Sequence, residues 1–114
     1  MTAFVEIALF TDDVAAVGAF YARLLGAGPE AEWPGGAVFA ADGVKVLVHE
    51  RAGELEGGPP NEDHVAVGVS DLDDTCTGLE GDGLELLVRP REFPWGRSAY
   101  LRDPDGRLVE LSEI

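Results

Sequence analysis

Three residues of this chain pair useful chemistry with a common strand parity: Glu6, His64 and Glu110. Each lies in a short segment that alternates in polarity. In residues 4–10 (FVEIALF), Val5, Ile7 and Leu9 point one way, and Glu6, Ala8 and Phe10 the other. In residues 64–69 (HVAVGV), Val65, Val67 and Val69 share a face, leaving His64, Ala66 and Gly68 opposite. In residues 107–111, Glu110 stands mid-strand, opposite Val109 and Leu111. If the valine and leucine faces pack on helices, the imidazole and both carboxylates share the remaining face. Ala8, Ala66 and Gly68 leave room there. Such a set suits Mn²⁺, Fe²⁺, Ni²⁺ or Zn²⁺. Without a bound metal, a cationic ligand or a shared proton, the two carboxylates would repel and be costly to desolvate.

Plainer readings stand beside these. His64 could be a hydrogen-bonding histidine at a strand start. Glu6 could be solvated on an edge strand or paired within the core. It could also be a general base, because burial lifts a carboxyl group toward the working range. Tyr100 and Arg102 share the face by parity and could bind an anionic group of a substrate, or pair with nearby acids. His49 faces the same way at a strand end, where exposure is expected. Trp33, Phe93 and Trp95 fall in or beside loops and could line a ligand mouth, cover core or make a dimer contact.

The elements that must position these residues form a repeat. A strand over 4–10 leads to a helix capped by Asp12 or Asp13. Its apolar stripe is Val14, Val17, Phe20, Tyr21, Leu24 and Leu25, and Gly26 stops it. A short strand at 31–33 and strands at 37–41 and 44–50 follow, the last two joined by a turn at Asp42-Gly43. Residues 52–63, rich in Gly, Pro and Glu, read as a linker. The pattern then restarts with a strand over 64–69 and a helix capped by Ser70 or Asp71, with Leu72, Thr75, Cys76 and Leu79 as its stripe. A strand over 84–89 and a loop over 90–96 come next. A hairpin closes the chain, with strands from 97 and 107 joined by Asp103-Pro104-Asp105-Gly106. Glu6-Ile7-Ala8-Leu9 is echoed by His64-Val65-Ala66-Val67, and Asp13 by Asp71. Each half is strand, helix and three strands. Two such βαβββ units can share one sheet surface, with helices on its outer face. We expect an α+β fold and a single domain over 1–114. Its modules run over about 1–52 and 63–114, joined by a linker at 53–62.

Composition narrows the partners. A net charge of -14 over 114 residues argues against nucleic acid and permits attraction of cationic ligands. No apolar run approaches the roughly 18 residues that span a membrane, and no leader pattern opens the sequence. The single Cys76 excludes an internal disulfide and fits a reducing cytoplasm; on the helix stripe it reads as core.

Phe20-Tyr21 with Leu24-Leu25-Gly26, the His64 strand running into Asp71-Leu72-Asp73, and Pro94-Trp95-Gly96-Arg97 through Asp103-Pro104-Asp105-Gly106 to Glu110-Leu111 carry a family resemblance. On these residues the chain resembles the vicinal oxygen chelate superfamily, the glyoxalase/bleomycin-resistance/dioxygenase group, over essentially its whole length. The resemblance implies two βαβββ modules forming a cupped mixed sheet, usually in a homodimer. It implies metal ligands from the first strand of each module and from the last strand, positions that fall on Glu6, His64 and Glu110. Two departures stand out. The first position is often His but is Glu6 here, and a fourth position used by glyoxalase I-like enzymes falls on Leu47, which cannot ligate.

The resemblance implies one divalent metal ion and a small-molecule substrate chelated through vicinal oxygens, with Glu6 and Glu110 as catalytic carboxylates. The reaction classes that follow are lyase, isomerase or epimerase chemistry, or thiol transfer. Extradiol oxygen chemistry fits less well, because the set lacks two histidines. The other function that the family offers is a metal-free, bleomycin-resistance-type protein holding a cationic or aromatic drug in the dimer groove.

Overall fold

The computed structural model describes residues 2–51 and 56–114. The elements run β1 (Thr2–Thr11), α1 (Val14–Leu25), β2 (Ala31–Trp33), β3 (Gly36–Ala41), β4 (Val44–Glu50), β5 (His64–Val69), α2 (Leu72–Gly81), β6 (Leu86–Phe93), β7 (Gly96–Arg102) and β8 (Leu108–Glu113). Strand, helix and three strands occur twice. Residues 53–55 of the expected linker lie outside the described residues, and turns and bends occupy 56–62.

Local chemistry sets both helices. The Asp13 carboxylate accepts the Ala16 N–H at 2.9 Å, and the Gly26 N–H closes on the Ala22 carbonyl at 3.0 Å. Asp71 caps α2 in the same way, accepting from the Asp74 N–H at 3.0 Å. At the β7–β8 turn the Asp103 carboxylate accepts the N–H groups of Asp105 and Arg107. Gly106 takes the left-handed conformation there, φ 88°, which a side chain would resist.

All eight strands form one open mixed sheet in the order β2-β3-β4-β1-β5-β8-β7-β6. The antiparallel β1–β5 pair joins the two halves, and each is flanked by a parallel partner, β4 or β8. α1 packs Val14, Val17, Tyr21 and Ala22 against Phe39, Val46 and Val48 of the first half. α2 packs Leu72 and Cys76 against Val69, Ala99, Leu101 and Leu111 of the second. Burying a side chain the size of Leu72 or Phe39 contributes roughly 1.5–3 kcal/mol. A third cluster (Val88, Phe93, Tyr100 and Leu108) joins residues of β6, β7 and β8.

Several expectations need correction. β6 does not stop at Arg89; it runs through Pro90 to Phe93. Proline is tolerated because β6 is an edge strand, so its missing N–H costs no ladder bond. Phe20, Leu24 and Leu25 of the expected α1 stripe are exposed: Phe20 and Leu24 lie on one flank of the face that Val14, Val17 and Tyr21 present to the sheet, and Leu25 ends the helix. Val5 does not share the parity of Ile7 and Leu9. The β1–β5 register shifts between Phe4 and Glu6, so Phe4 pairs with Val67 and Glu6 with Ala66, leaving Val5 as the extra residue of a bulge. A Cβ on Gly68 would meet Cγ1 of Val5 and Cγ2 of Ile114, each at 2.9 Å. Gly68 is therefore needed for close approach, and Val5 lies over the Glu6 face.

Candidate functional site

The register explains how distant residues meet. Glu6 pairs with Ala66, and Ala66 with Glu110, so the three form one row across β1, β5 and β8. Ala8, His64 and Leu108 form the next row. Ala8 and Ala66 are fully buried and too small to separate the acidic and imidazole groups.

His64 and Glu110 make direct contact. His64 Nε2 lies 3.1 Å from Glu110 Oε1, and the two side chains are only 6% and 5% exposed. His64 Nδ1 lies 2.9 Å from the Glu62 carbonyl. A carbonyl only accepts, so Nδ1 carries a proton. Burial alone would push the imidazole pKa down, but the hydrogen bonds to Glu110 and the Glu62 carbonyl and the charges of Glu110 and Glu6 raise it. Burial alone would push the Glu110 carboxyl up, but hydrogen bonds from His64, Ser98 and Ser112 and the charge of His64 lower it. Both directions describe an imidazolium–carboxylate pair, with Nε2 donating to Oε1.

The second oxygen of Glu110 is bound as well. Ser98 Oγ donates to Oε2 at 2.8 Å and Ser112 Oγ at 3.3 Å. Ser98 faces Ser112 across the β7–β8 ladder, just as Tyr100 faces Glu110. Tyr100 is buried beside Glu110, its cross-strand partner. Its pKa is raised, chiefly by burial and by the Glu110 charge, so it stays protonated.

Glu6 differs from Glu110. It is half-buried, and among the described residues no side-chain hydrogen bond to it is found. Burial and the Glu110 charge raise its pKa, against smaller opposing effects of His64 and Lys45. Lys45 is its partner on β4, with the ammonium group turned to Glu30 at 3.4 Å.

Rings wall the pair. Phe10 lies 6.0 Å from His64, and Tyr100 meets His64 edge-on at 5.9 Å. Phe93 contacts Tyr100 edge-on and stacks flat on Trp95 at 4.6 Å and 4°. Trp95 is half exposed. A cavity of about 490 Å³ lies mainly over the opposite face, lined by Ile7, Leu9, Val65 and Val109 with Glu62 and Arg107 at the strand ends; of Glu6, His64 and Glu110 it borders His64 alone.

The expected residues thus separate. Glu6, His64, Glu110, Tyr100, Phe93 and Trp95 come together. Arg102 acts at one remove: Nη2 donates to Glu62 Oε1 at 2.6 Å, and the Glu62 carbonyl in turn holds His64. Trp33 stands apart on the far edge strand β2, beside α1, lining a different cavity of about 410 Å³. Ser98, Ser112 and Phe10 were missed as site residues. Parity places Phe10 on the correct face, but none of the three carries a charge that would single it out.

The pattern of a family model for the Glyoxalase/Bleomycin resistance protein/Dioxygenase superfamily matches residues 3–111. The chain belongs to that superfamily. A superfamily member from Vibrio splendidus shares 18% identity, with 100% of both chains covered and a TM-score of 0.70. A hypothetical protein from Bacillus halodurans shares 20%, covering 99% of this chain and 94% of that one, with a TM-score of 0.78. Methylmalonyl-CoA epimerase from Mycobacterium tuberculosis shares 20%, covering 96% and 86%, with a TM-score of 0.73. At these identities the likeness fixes the fold alone: a glyoxalase-superfamily sheet of two βαβββ halves.

Superfamily members commonly use a divalent metal, so the donor set needs a direct test. Among the described residues no group of three or more His, Cys, Asp or Glu side chains converges closely enough to hold one. Two donors do converge, His64 Nε2 and Glu110 Oε1, and a proton lies between them. Nδ1 is anchored on a carbonyl, the support that a metal-binding histidine requires. Glu6, on the adjacent strand, is a second carboxylate, but it does not close a three-donor group with His64 and Glu110. The structure therefore shows a hydrogen-bonded pair rather than an assembled three-donor metal site.

Proposed function

We propose that this superfamily member is a small-molecule enzyme centred on Glu6, His64 and Glu110, with a divalent metal ion as cofactor. The observation that carries this reading is the buried His64–Glu110 pair with Glu6 in the row of Glu110, its carboxyl pKa raised by burial and by the Glu110 charge. His64 and Glu110 would hold the cation, with Glu6 as the third donor. Mn²⁺, Ni²⁺, Zn²⁺ and Fe²⁺ suit one imidazole and two carboxylates. When bound, the metal supplies Lewis acidity to a substrate chelated through vicinal oxygens.

The remaining chemistry belongs to the chain. A carboxylate can hold a cation through one oxygen and accept a proton on the other, so Glu6 serves as both ligand and base. Placed beside the chelated substrate, it would take a proton from carbon next to a carbonyl. Glu110 is fixed by three donors, His64, Ser98 and Ser112, and acts through its charge. Phe93, Trp95 and Tyr100 form an aromatic wall for the substrate's apolar part, and Phe10 closes the opposite side. Arg102 supports His64 through Glu62. Trp33 could join this substrate surface only from a partner chain, and a homodimer is part of this proposal; sedimentation velocity tests it. The reaction classes that follow are isomerase, epimerase and lyase.

The test is exchange of solvent deuterium into small 2-oxo and 2-hydroxy acids and their thioesters, with metal added. The reading expects Glu6→Gln to abolish exchange that the wild type catalyses. Equal exchange by both proteins would remove Glu6 from the mechanism.

A second reading is a metal-free binder of cationic or aromatic compounds. The half-exposed Trp95, stacked on Phe93, and the net charge of -14 favour it. Tight binding of such a compound, unchanged by chelator and quenching tryptophan fluorescence, would select it.

A further inference from the structure

The His64 and Glu110 side chains are only 6% and 5% exposed. The cavity that borders His64 lies mainly over the opposite face and touches neither Glu6 nor Glu110. A ligand that is to reach the pair needs part of the chain to move. β4 and β5 are separated by β1 alone, a gap of about 10 Å that a few residues would close. Residues 56–62 instead reach over to the far half of the sheet. Arg91 Nη1, on the edge strand β6, donates to the Gly57 carbonyl at 3.1 Å. Arg102 Nη2, on β7, donates to Glu62 Oε1 at 2.6 Å, and His64 Nδ1 donates to the Glu62 carbonyl at 2.9 Å. All three anchors belong to the face of Glu110. Arg91 is paired with Ser98, in the row of Ser112, and Arg102 with Leu108, in the row of His64. Residues 58–62 are half-buried against the sheet they cross.

The two ends of this segment are held unequally. Glu62 is fixed through both its carbonyl and its carboxylate. Among the described residues, Gly57 is held by the one exposed hydrogen bond from Arg91. Gly57 takes a left-handed conformation, φ 69°, and a Cβ there would meet Arg91 Nη1 at 3.3 Å, so the close approach favours glycine. Arg91 is set for the contact, its guanidinium lying 4.8 Å over the Phe93 ring. Pro59 and Pro60, with fixed φ, stiffen the arm between tip and base. We propose that residues 56–62 form a strap over the Glu110 face, clasped by Arg91, and that opening of the Arg91–Gly57 clasp admits a small molecule to His64 and Glu110. The β6–β7 hairpin stays in place, because Phe93 is paired with Gly96 in the ladder. The strap works alike for an enzyme and for a binding protein, and it needs no metal.

The test is labelling of the folded protein with iodoacetamide at a thiol placed beside His64. Ala8→Cys puts one at a fully buried position in the row of His64 and Leu108. Cys76, buried under α2 in the core of the other face, reports global unfolding in the same molecule. Peptide mass spectrometry follows both thiols in the Ala8→Cys protein, alone and combined with Arg91→Met or Arg91→Lys. We expect the introduced thiol to react faster than Cys76. Arg91→Met should speed its labelling about 2- to 10-fold, the effect of one lost hydrogen bond, and leave Cys76 unchanged. Arg91→Lys keeps a donor and should lie nearer to the parent. Equal rates with and without Arg91→Met overturn the inference. Labelling of both thiols at one common rate also overturns it, because entry is then by global unfolding. If Ala8→Cys does not fold, Ala66→Cys, in the row of Glu6 and Glu110, takes its place with the same expected rates.

Discussion

His64 Nε2 and Glu110 Oε1 stand 3.1 Å apart, on strands that bring together positions 46 residues apart in sequence. The contact depends on pH in a definite way. His64 has a raised pKa, so its stabilisation is present below its usual value of 6.5 and is lost as pH rises through the higher folded value. Glu110 has a lowered pKa, so its stabilisation is present above its usual 4.5 and is lost as pH falls through the lower folded value. The pair therefore contributes most between these two usual values. Denaturation of wild type and His64→Gln across pH should show the largest stability gap near about pH 5.5, closing toward alkaline pH. A gap that widens above neutrality would contradict the ion pair.

Removing one member of a buried pair leaves the other charge uncompensated. Glu110→Ala should lose about 3–5 kcal/mol in urea denaturation at neutral pH. Glu110→Gln keeps the shape and the Ser98 contact, and should lose less. Equal and small losses in both variants would mean that the charge is not confined as the geometry indicates.

Glu6 should behave in the opposite way. Its pKa is raised, so its ionised form is disfavoured in the fold, and stability is lost as pH rises above its usual 4.5. Glu6→Gln should melt higher than wild type near pH 7.5 and about the same near pH 4. Such a gain, coupled to loss of activity, is the usual sign of a residue kept for function.

The bulge at Val5 predicts a steric coupling. A methyl group at Gly68 would sit 2.9 Å from Val5 Cγ1 and from Ile114 Cγ2. Gly68→Ala should cost about 1–3 kcal/mol. Val5→Ala should recover part of that cost, so that the two changes are less than additive in a double-mutant cycle. Strict additivity would mean that Val5 points elsewhere.

Much of this was readable in the residues. Strand alternation alone put Glu6, His64 and Glu110 on one face, because a period of two survives whatever the loops do. Asp12 or Asp13, and Ser70 or Asp71, marked the two helix starts, and the caps are Asp13 and Asp71. The bulge was not readable, because an inserted residue leaves Val5 looking like one more member of an alternating run. Pro90 read as a strand end because nothing local marks β6 as an edge. Trp33 was put near the site as a loop aromatic, and only the strand order shows it at the far edge. Ser98 is a small polar residue in a strand, and its meaning appears only once β7 is set beside β8.

The most direct measurement is thermal melting of chelator-treated, dialysed protein with Mn²⁺, Ni²⁺, Zn²⁺ or anaerobic Fe²⁺ added, beside His64→Ala and Glu110→Ala. At about 100 times its Kd a bound metal stabilises by roughly 2.7 kcal/mol, or several degrees for a domain of this size. The account predicts a metal-selective rise in wild type that both variants lose. Melting curves that no metal moves, or that move equally in the variants, would contradict it.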